Sequence, residues 1–326
     1  MSDAHTALPK KTQTLLHSLA IRQNCLQRWL RNNGAPLVMS LPAVLHLLIF
    51  AYLPMFGIII AFKEYRFDQG ILGSKWVGFY NFRYLFSSAV AARITRNTIL
   101  MNLLFMSFGI VTSVTVALLM NEVQGTLRAR FYQSAMFLPY FISYVIVGIF
   151  AFAFLNMEHG ILNRMLEKAG MEPIRWYSEP KYWPAILVTV SLWKGMGYGS
   201  ILYLAVMLGI NPEYYEAARI DGASKWQQIR HITLPMLVPI IIIQLLLSMG
   251  GMFRANFGLF FNLTQDRSAL YPTTDVIDTF VYRALVRMGD MGMAAAAGVY
   301  QSVVGFCLVI LANWLVRKID PERSLF

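Results

Sequence analysis

Six long apolar runs without a single Asp or Glu, at residues 37–62, 98–120, 134–155, 185–208, 236–258 and 293–316, constrain this chain more than any other feature. A helix through each run crosses about 30 Å of hydrocarbon. The runs lack the ten-residue alternation of an outer-membrane barrel strand, and a helix satisfies its own backbone polar groups inside lipid. The expected fold class is therefore an all-α integral membrane protein with six transmembrane helices. Composition agrees: 57% of the 326 residues are hydrophobic and 14% charged, against about 45–50% and about 25% in soluble domains. The formal charge of +11 points to lipid head groups or an acidic solute, because chain built around such apolar blocks is not a nucleic-acid binder.

The divisions that follow are residues 1–36 as a cytoplasmic N-terminal segment, 37–316 as the transmembrane domain and 317–326 as a cytoplasmic tail. Residues 12–31, with Leu15, Leu16, Leu19, Leu26 and Leu30 among basic and polar positions, read as an amphipathic helix on the membrane surface. No basic-then-apolar stretch with a small-residue cleavage site opens the chain, so no cleaved signal peptide is expected. Cys25 and Cys307 lie in unlike surroundings, one polar and one apolar, and no disulfide is expected between them. An even number of crossings puts both termini on one side. Lys and Arg do not decide which, with 13 on each side. The N-terminal flank does: Lys10, Lys11, Arg22, Arg28 and Arg31 face only Asp3, and the first span usually dominates orientation, so both termini are placed in the cytoplasm.

The chemistry absent from the runs narrows the function. Ion-driven carriers keep carboxylates or histidines in the membrane to bind the coupling ion, and here only His46, in the first run, is titratable in that way. No phosphate loop, H-E-x-x-H, G-x-S-x-G or Cys/His cluster with metal spacing is present. Gly195, Gly197 and Gly199 sit mid-run and read as close helix packing. Asp266, Asp275, Asp278 and Asp290 match no catalytic pattern and read as solvated loop charges. No enzyme activity, metal or cofactor is expected in this chain, and energy for transport must come from elsewhere.

Residues 211–235 carry the densest local signals. Asn211 can cap a helix with Pro212 at its first position and Glu213 beside the positive helix end, and Gly222 supplies the break. Ser224 followed by Gln227 is a capping-box pattern that starts a second helix at an angle to the first, and Pro235 marks its junction with the fifth run. Such a segment is too short to be a domain. It suits a rigid knob presented to another protein, with Ala217 and Ala218 permitting close approach and Glu216 available to an arginine.

The run EAARIDGASKWQQIRHITLP resembles the EAA loop of membrane subunits of binding-protein-dependent ABC importers, and it carries Glu216, Ala217, Ala218, Asp221, Gly222 and Pro235 over by position as ATPase-coupling residues. WVGFYNFRYLF and Arg96-Asn97-Thr98 resemble the first outer loop and second-span entry of the sugar-importer branch. FYQSAMFLPYFIS, WKGMGYGSILYLA, FGLFFNLT and LYPTTDVIDTFVYRAL resemble the permeases of oligosaccharide and polysaccharide importers, including aldouronate and alginate systems. The resemblance implies a type I importer permease fold in a bacterial cytoplasmic membrane. It also implies a second homologous permease subunit, two ATPase subunits that bind ATP and Mg, and an extracytoplasmic solute-binding protein.

A saccharide passage needs aromatic faces and polar hydrogen bonds, and a uronate needs a cation as well. Tyr140 and Tyr144 in the third run, Trp193, Lys194 and Tyr198 in the fourth, and Arg254 and Asn256 near the end of the fifth are the candidates. Lys194 costs about 2.5–3.5 kcal/mol on insertion scales, so it should face a cavity or a partner. With Arg254 it suggests an acidic substrate of the alginate type. An ion-coupled sugar carrier or channel is the alternative reading.

Overall fold

The computed structural model describes residues 33–125 and 127–319. The amphipathic helix expected over 12–31, and all but the first residues of the expected tail, lie outside the described residues.

Helix α1 runs from Asn33 to Phe62. It widens to π-helical winding over Leu48–Tyr52 and tightens to 3₁₀ over Phe56–Phe62. Pro54 causes the widening: its ring crowds the carbonyl four residues back, and a local shift to i→i−5 bonds, seen as Leu53 N–H to the Leu48 carbonyl, makes room. The helix up to Ile58 and the chain from Ile59 onward form separate compact units.

In the second unit, β1 (Lys63–Glu64) pairs antiparallel with β2 (Lys75–Trp76), a two-rung ladder in an otherwise helical structure. Then follow α2 (Tyr80–Ser87), α3 (Ala89–Glu122), α4 (Leu127–Phe141), α5 (Tyr144–Leu155), α6 (Ile161–Lys168), α7 (Trp183–Leu208) and α8 (Pro212–Ile220). The chain continues with α9 (Lys225–Gly250), α10 (Phe257–Thr264), α11 (Ile277–Val286) and α12 (Met291–Ile319). Of these, α3, α7, α9 and α12, with α1, are long and apolar enough to cross a membrane, and α4 with α5, bent by 94° at the break between them, makes a sixth when the pair is taken as one span.

The structure corrects three of the expected elements. The third crossing breaks between Phe141 and Tyr144 instead of running through residue 155 as one helix. The fifth begins at Lys225 and ends at Gly250, so the carboxylate-free stretch to residue 258 includes a turn at Gly251 and the start of α10. Pro235 does not mark a junction, because π-helical winding over Ile229–Thr233 absorbs it as at Pro54, and one helix runs from Lys225 to Gly250.

Glycines set how closely the helices approach. A Cβ on Gly197 would sit 2.2 Å from the Met136 carbonyl oxygen of α4, and one on Gly199 2.3 Å from Ser113 Oγ of α3. These two are packing glycines as expected; Gly195 faces open space. One apolar core joins α3, α7 and α9 through Ala117, Tyr203, Met207 and Leu237 at the end that carries Glu216. Two others occupy the opposite end, around Trp183, Leu187 and Phe260, and around Ile94, Phe280 and Ala297.

Of the four aspartates expected as solvated loop charges, Asp290 is exposed, whereas Asp266, Asp275 and Asp278 are drawn into the fold. Asp275 is 1% exposed and accepts from Arg93 at 2.8 Å and from Arg283. Asp266 pairs with Arg283 and Arg287, both at 2.9 Å. Asp278 accepts the Ala255 N–H at 2.7 Å, and Asp290 caps α12 through the Met293 N–H at 2.8 Å. Asn97 and Thr98 of the Arg-Asn-Thr motif bind the same loop, Asn97 through the Tyr271 and Asp275 carbonyls and Thr98 through the Ile277 N–H. The tertiary fold thus brings the loop charges against α3. Arg283→Met, which takes one cation from each of two buried carboxylates and leaves Asp275 to Arg93 and Asp266 to Arg287, is expected to cost about 1–3 kcal/mol. A thermal melt of the solubilised protein checks this, and an unchanged melting temperature contradicts it.

Candidate functional site

The first candidate site is the corner between α8 and α9. Asn211 Oδ1 accepts the Glu213 N–H at 3.1 Å, and Pro212, with no N–H to leave unpaired, takes the first position of α8. Gly222 closes the helix in the left-handed region, at φ +78°. There the Ala223 N–H reaches the Ala218 carbonyl at 2.8 Å and the Gly222 N–H reaches that of Arg219 at 3.1 Å, a Schellman arrangement that satisfies the last carbonyls. The expected capping box is present: the Ser224 N–H donates to Gln227 Oε1 at 2.6 Å, and Ser224 Oγ accepts the Gln227 N–H at 3.4 Å. Buried Gln228 donates to the Ala223 carbonyl at 3.0 Å. The Tyr215 and Thr233 hydroxyls, 2.9 Å apart, tie α8 to α9, and Lys225 pairs with Glu122 of α3 at 2.9 Å.

On this stiff corner Glu216, Ala217, Asp221 and Gly222 are exposed and Ala218 is half-buried. Pro235, also exposed, is the second residue of the α-helical stretch that follows the π turn of α9. The sequence reading missed the apolar side chains among them: Tyr214, Ile220 at 86% exposure and Trp226 at 66%. A large apolar residue in an otherwise polar loop was the available signal. Exposed carboxylates around bare apolar side chains make a surface suited to a protein partner.

The second candidate site is the break in the third crossing. Helix α4 carries Pro139 and ends at Phe141, and α5 starts afresh with Ser143 Oγ accepting the Ile146 N–H at 3.4 Å. A helix that ends inside a bundle leaves its last carbonyls without partners. Lys194 of α7 supplies them: its ammonium donates to the carbonyls of Pro139 at 2.8 Å, Tyr140 at 3.2 Å and Ile142. It also lies 4.9 Å from the centroid of the Tyr144 ring. A cation at the negative pole of a helix is favourable, which explains how a 6%-exposed lysine is tolerated there.

Five of the seven residues expected along a pathway meet at this break. The Tyr140 and Tyr198 rings stack at 4.7 Å and 8°, and both are well exposed. Tyr144 accepts through its hydroxyl from Asn256 Nδ2 at 3.1 Å, while Asn256 Oδ1 caps α10 through the Leu259 N–H. Lys194 completes the group. Arg254 is exposed two residues before Asn256, and its carbonyl accepts from Asn102 at 3.3 Å. Trp193 is half-exposed and makes no ring contact with the cluster. The result is an exposed aromatic face with a polar rim, the form a saccharide ring takes up. All three ammonium protons of Lys194 are engaged, so its geometry is that of a brace for the break.

Comparison with known proteins agrees with this architecture. The family described as "Binding-protein-dependent transport system inner membrane component" matches residues 109–321. The polygalacturonan/rhamnogalacturonan transport system permease protein YteP of Bacillus subtilis is 34% identical over 87% of this chain and 88% of its own length. Protein LplB of the same organism is 34% identical over 87% of this chain and 89% of its own. Among solved structures, a chain of a bacterial ABC transporter involved in the import of the acidic polysaccharide alginate superposes with a TM-score of 0.81 at 34% identity, covering 90% of this chain and 99% of that one. A chain of a bacterial alginate ABC transporter in complex with an alginate pentasaccharide-bound periplasmic protein superposes with a TM-score of 0.80 at 34% identity, covering 90% of this chain and 98% of that one. With six apolar crossings, the third of them broken, and the corner at Glu216, this chain belongs to the binding-protein-dependent transport system inner membrane components and is a multi-pass permease of the type I ABC importer fold.

Proposed function

We propose that the chain forms one half of the passage of an ATP-driven importer for an acidic oligo- or polysaccharide. The other half is a second homologous permease, and an extracytoplasmic solute-binding protein delivers the solute. Two partner ATPase subunits hold ATP and Mg and do the hydrolysis; this chain is non-catalytic. The observation that carries the reading is the exposed, doubly capped corner at Glu216 to Gly222, built as a rigid knob and continuous with a crossing helix. Both termini lie in the cytoplasm with that corner. ATP-driven closure of the ATPases moves the corner as a near-rigid body and rocks the crossings between inward- and outward-facing states. The loaded binding protein favours the outward state.

The acidic substrate class is supported by relatives that carry polygalacturonan/rhamnogalacturonan or alginate. It is further supported by the exposed Tyr140–Tyr198 pair and Arg254. The test is uptake of galacturonate or alginate oligosaccharides into proteoliposomes holding the assembled transporter and its binding protein. Uptake is expected to need internal ATP, to persist with a protonophore present, and to favour the acid over its neutral methyl ester. Equal uptake of acid and ester overturns the acidic class. Uptake that ignores ATP and collapses with the protonophore identifies an ion-coupled carrier instead.

A further inference from the structure

At the end of the bundle opposite Glu216, the C-terminus of α5 meets the segments around Glu158 and Tyr177. Between them lies a cleft of about 310 Å³ lined by Asn156, Glu158, Arg175, Trp176, Tyr177 and Arg267, among others. That volume sits at the small end of ligand sites, enough for one sugar ring. Arg175 is exposed and forms no ion pair among the described residues. The Arg267 guanidinium lies 4.6 Å from the centroid of the Tyr177 ring and gives one bond, 3.0 Å, to Gln265 Oε1, leaving further donors. Two guanidinium groups against the single carboxylate of Glu158 leave the cleft with a net positive charge.

Tyr177 supplies an independent observation. It is 6% exposed, and its hydroxyl is buried with no hydrogen-bond partner among the described residues. Buried polar groups are rarely left so. Burial, opposed by the charge of Arg267, pushes the Tyr177 hydroxyl up to about 12, so it keeps its proton at neutral pH and remains a donor.

We propose that this cleft is a subsite for one uronate unit of the polymer, separate from the Tyr140–Tyr198 face, with Arg175 and Arg267 binding the carboxylate, Trp176 and Tyr177 bordering the ring, and the Tyr177 hydroxyl completing the polar contacts. It rests on the acidic-saccharide reading above and adds where the first acidic unit is held. Two cations in a small aromatic cleft favour a sugar acid over a neutral sugar, because charge-assisted bonds to a carboxylate are the stronger kind.

The experiment is equilibrium binding of a galacturonate trisaccharide to the assembled permease–ATPase complex in nanodiscs, without the binding protein, against its methyl ester. Arg175→Gln and Arg267→Gln are each expected to weaken binding of the acid roughly tenfold, and Tyr177→Phe severalfold. Ester binding should stay unchanged in the arginine variants, and basal ATP hydrolysis should stay intact in all three. Wild-type affinity in every variant, or equal binding of acid and ester, overturns the subsite. Acidic uptake that persists alongside that result leaves the substrate reading standing, whereas absence of acidic uptake by the wild type overturns both. Arginine variants that keep sugar affinity but lose stimulation of ATP hydrolysis by the binding protein make the cleft a protein-docking surface and also overturn the subsite.

Discussion

Replacing Gly222 by tryptophan is expected to cut solute uptake by about tenfold or more while the assembled complex continues to hydrolyse ATP. The reason lies in the backbone. At φ +78° a residue with a Cβ carries about 1–2 kcal/mol of strain, equivalent to a roughly five- to thirtyfold shift against the native turn. No atom lies within 4 Å of the place a Cβ would occupy, so the defect is conformational and not a clash. Its target is the pair of bonds from Ala223 and Gly222 that ends α8, and hence the angle at which Glu216 and Asp221 are presented. Asparagine adopts left-handed backbone more readily, so Gly222→Asn should retain most uptake. Measuring phosphate release and uptake in the same proteoliposomes checks the pair. Normal uptake by the tryptophan variant removes the corner from the coupling path.

Lys194→Met should be equally damaging for another reason. Methionine fills much of the same space but leaves the Pro139, Tyr140 and Ile142 carbonyls without their donor. Each buried carbonyl stranded in this way costs about 1–3 kcal/mol, so the three together cost on the order of 3–9 kcal/mol. The end of α4 then has no counter-charge, and the Tyr140–Tyr198 stack loses its support. Uptake of an acidic oligosaccharide and of its neutral ester should fall together, with a lower melting temperature, and Lys194→Arg should recover part of both. A loss confined to the acid would place the ammonium against the solute carboxylate and refute the bracing role.

How far the sequence can be read here follows from what each signal reports. Hydropathy counts side chains, so it locates apolar stretches well and helix ends poorly. Helix α3 starts at Ala89 and not near residue 98 because Arg93 and Arg96 lie within its first turns and bond to the 272–275 loop. The break at Ile142–Ser143 lies in a run apolar on both sides. Its signals were Pro139 and the capping serine, and what holds it open is a lysine 52 residues away from Ile142 in the chain. Local backbone chemistry was more legible: Asn211, Gly222, Ser224 and Gln227 all act at short range, and each sits as its residue type requires. Long-range charge pairing was not legible. Asp275 and Arg93 are separated by 182 positions, and nothing in either neighbourhood announces the other. The pathway tyrosines could be named as candidates, but only the approach of α4 to α7 at Gly197 brings Tyr140 onto Tyr198.

The uninterrupted passage of α9 through Pro235 has a mechanical consequence. Its 26 residues from Lys225 to Gly250, with Pro239 inside, make one helix ~39 Å long at 1.5 Å per residue. Had the chain ended one helix at the proline and begun another, a push on the corner would have been absorbed at the joint. With the π turn in place the corner and the crossing are one lever arm. By simple trigonometry on that length, a tilt of about 10° pivoted at Lys225 carries Gly250 sideways by ~7 Å.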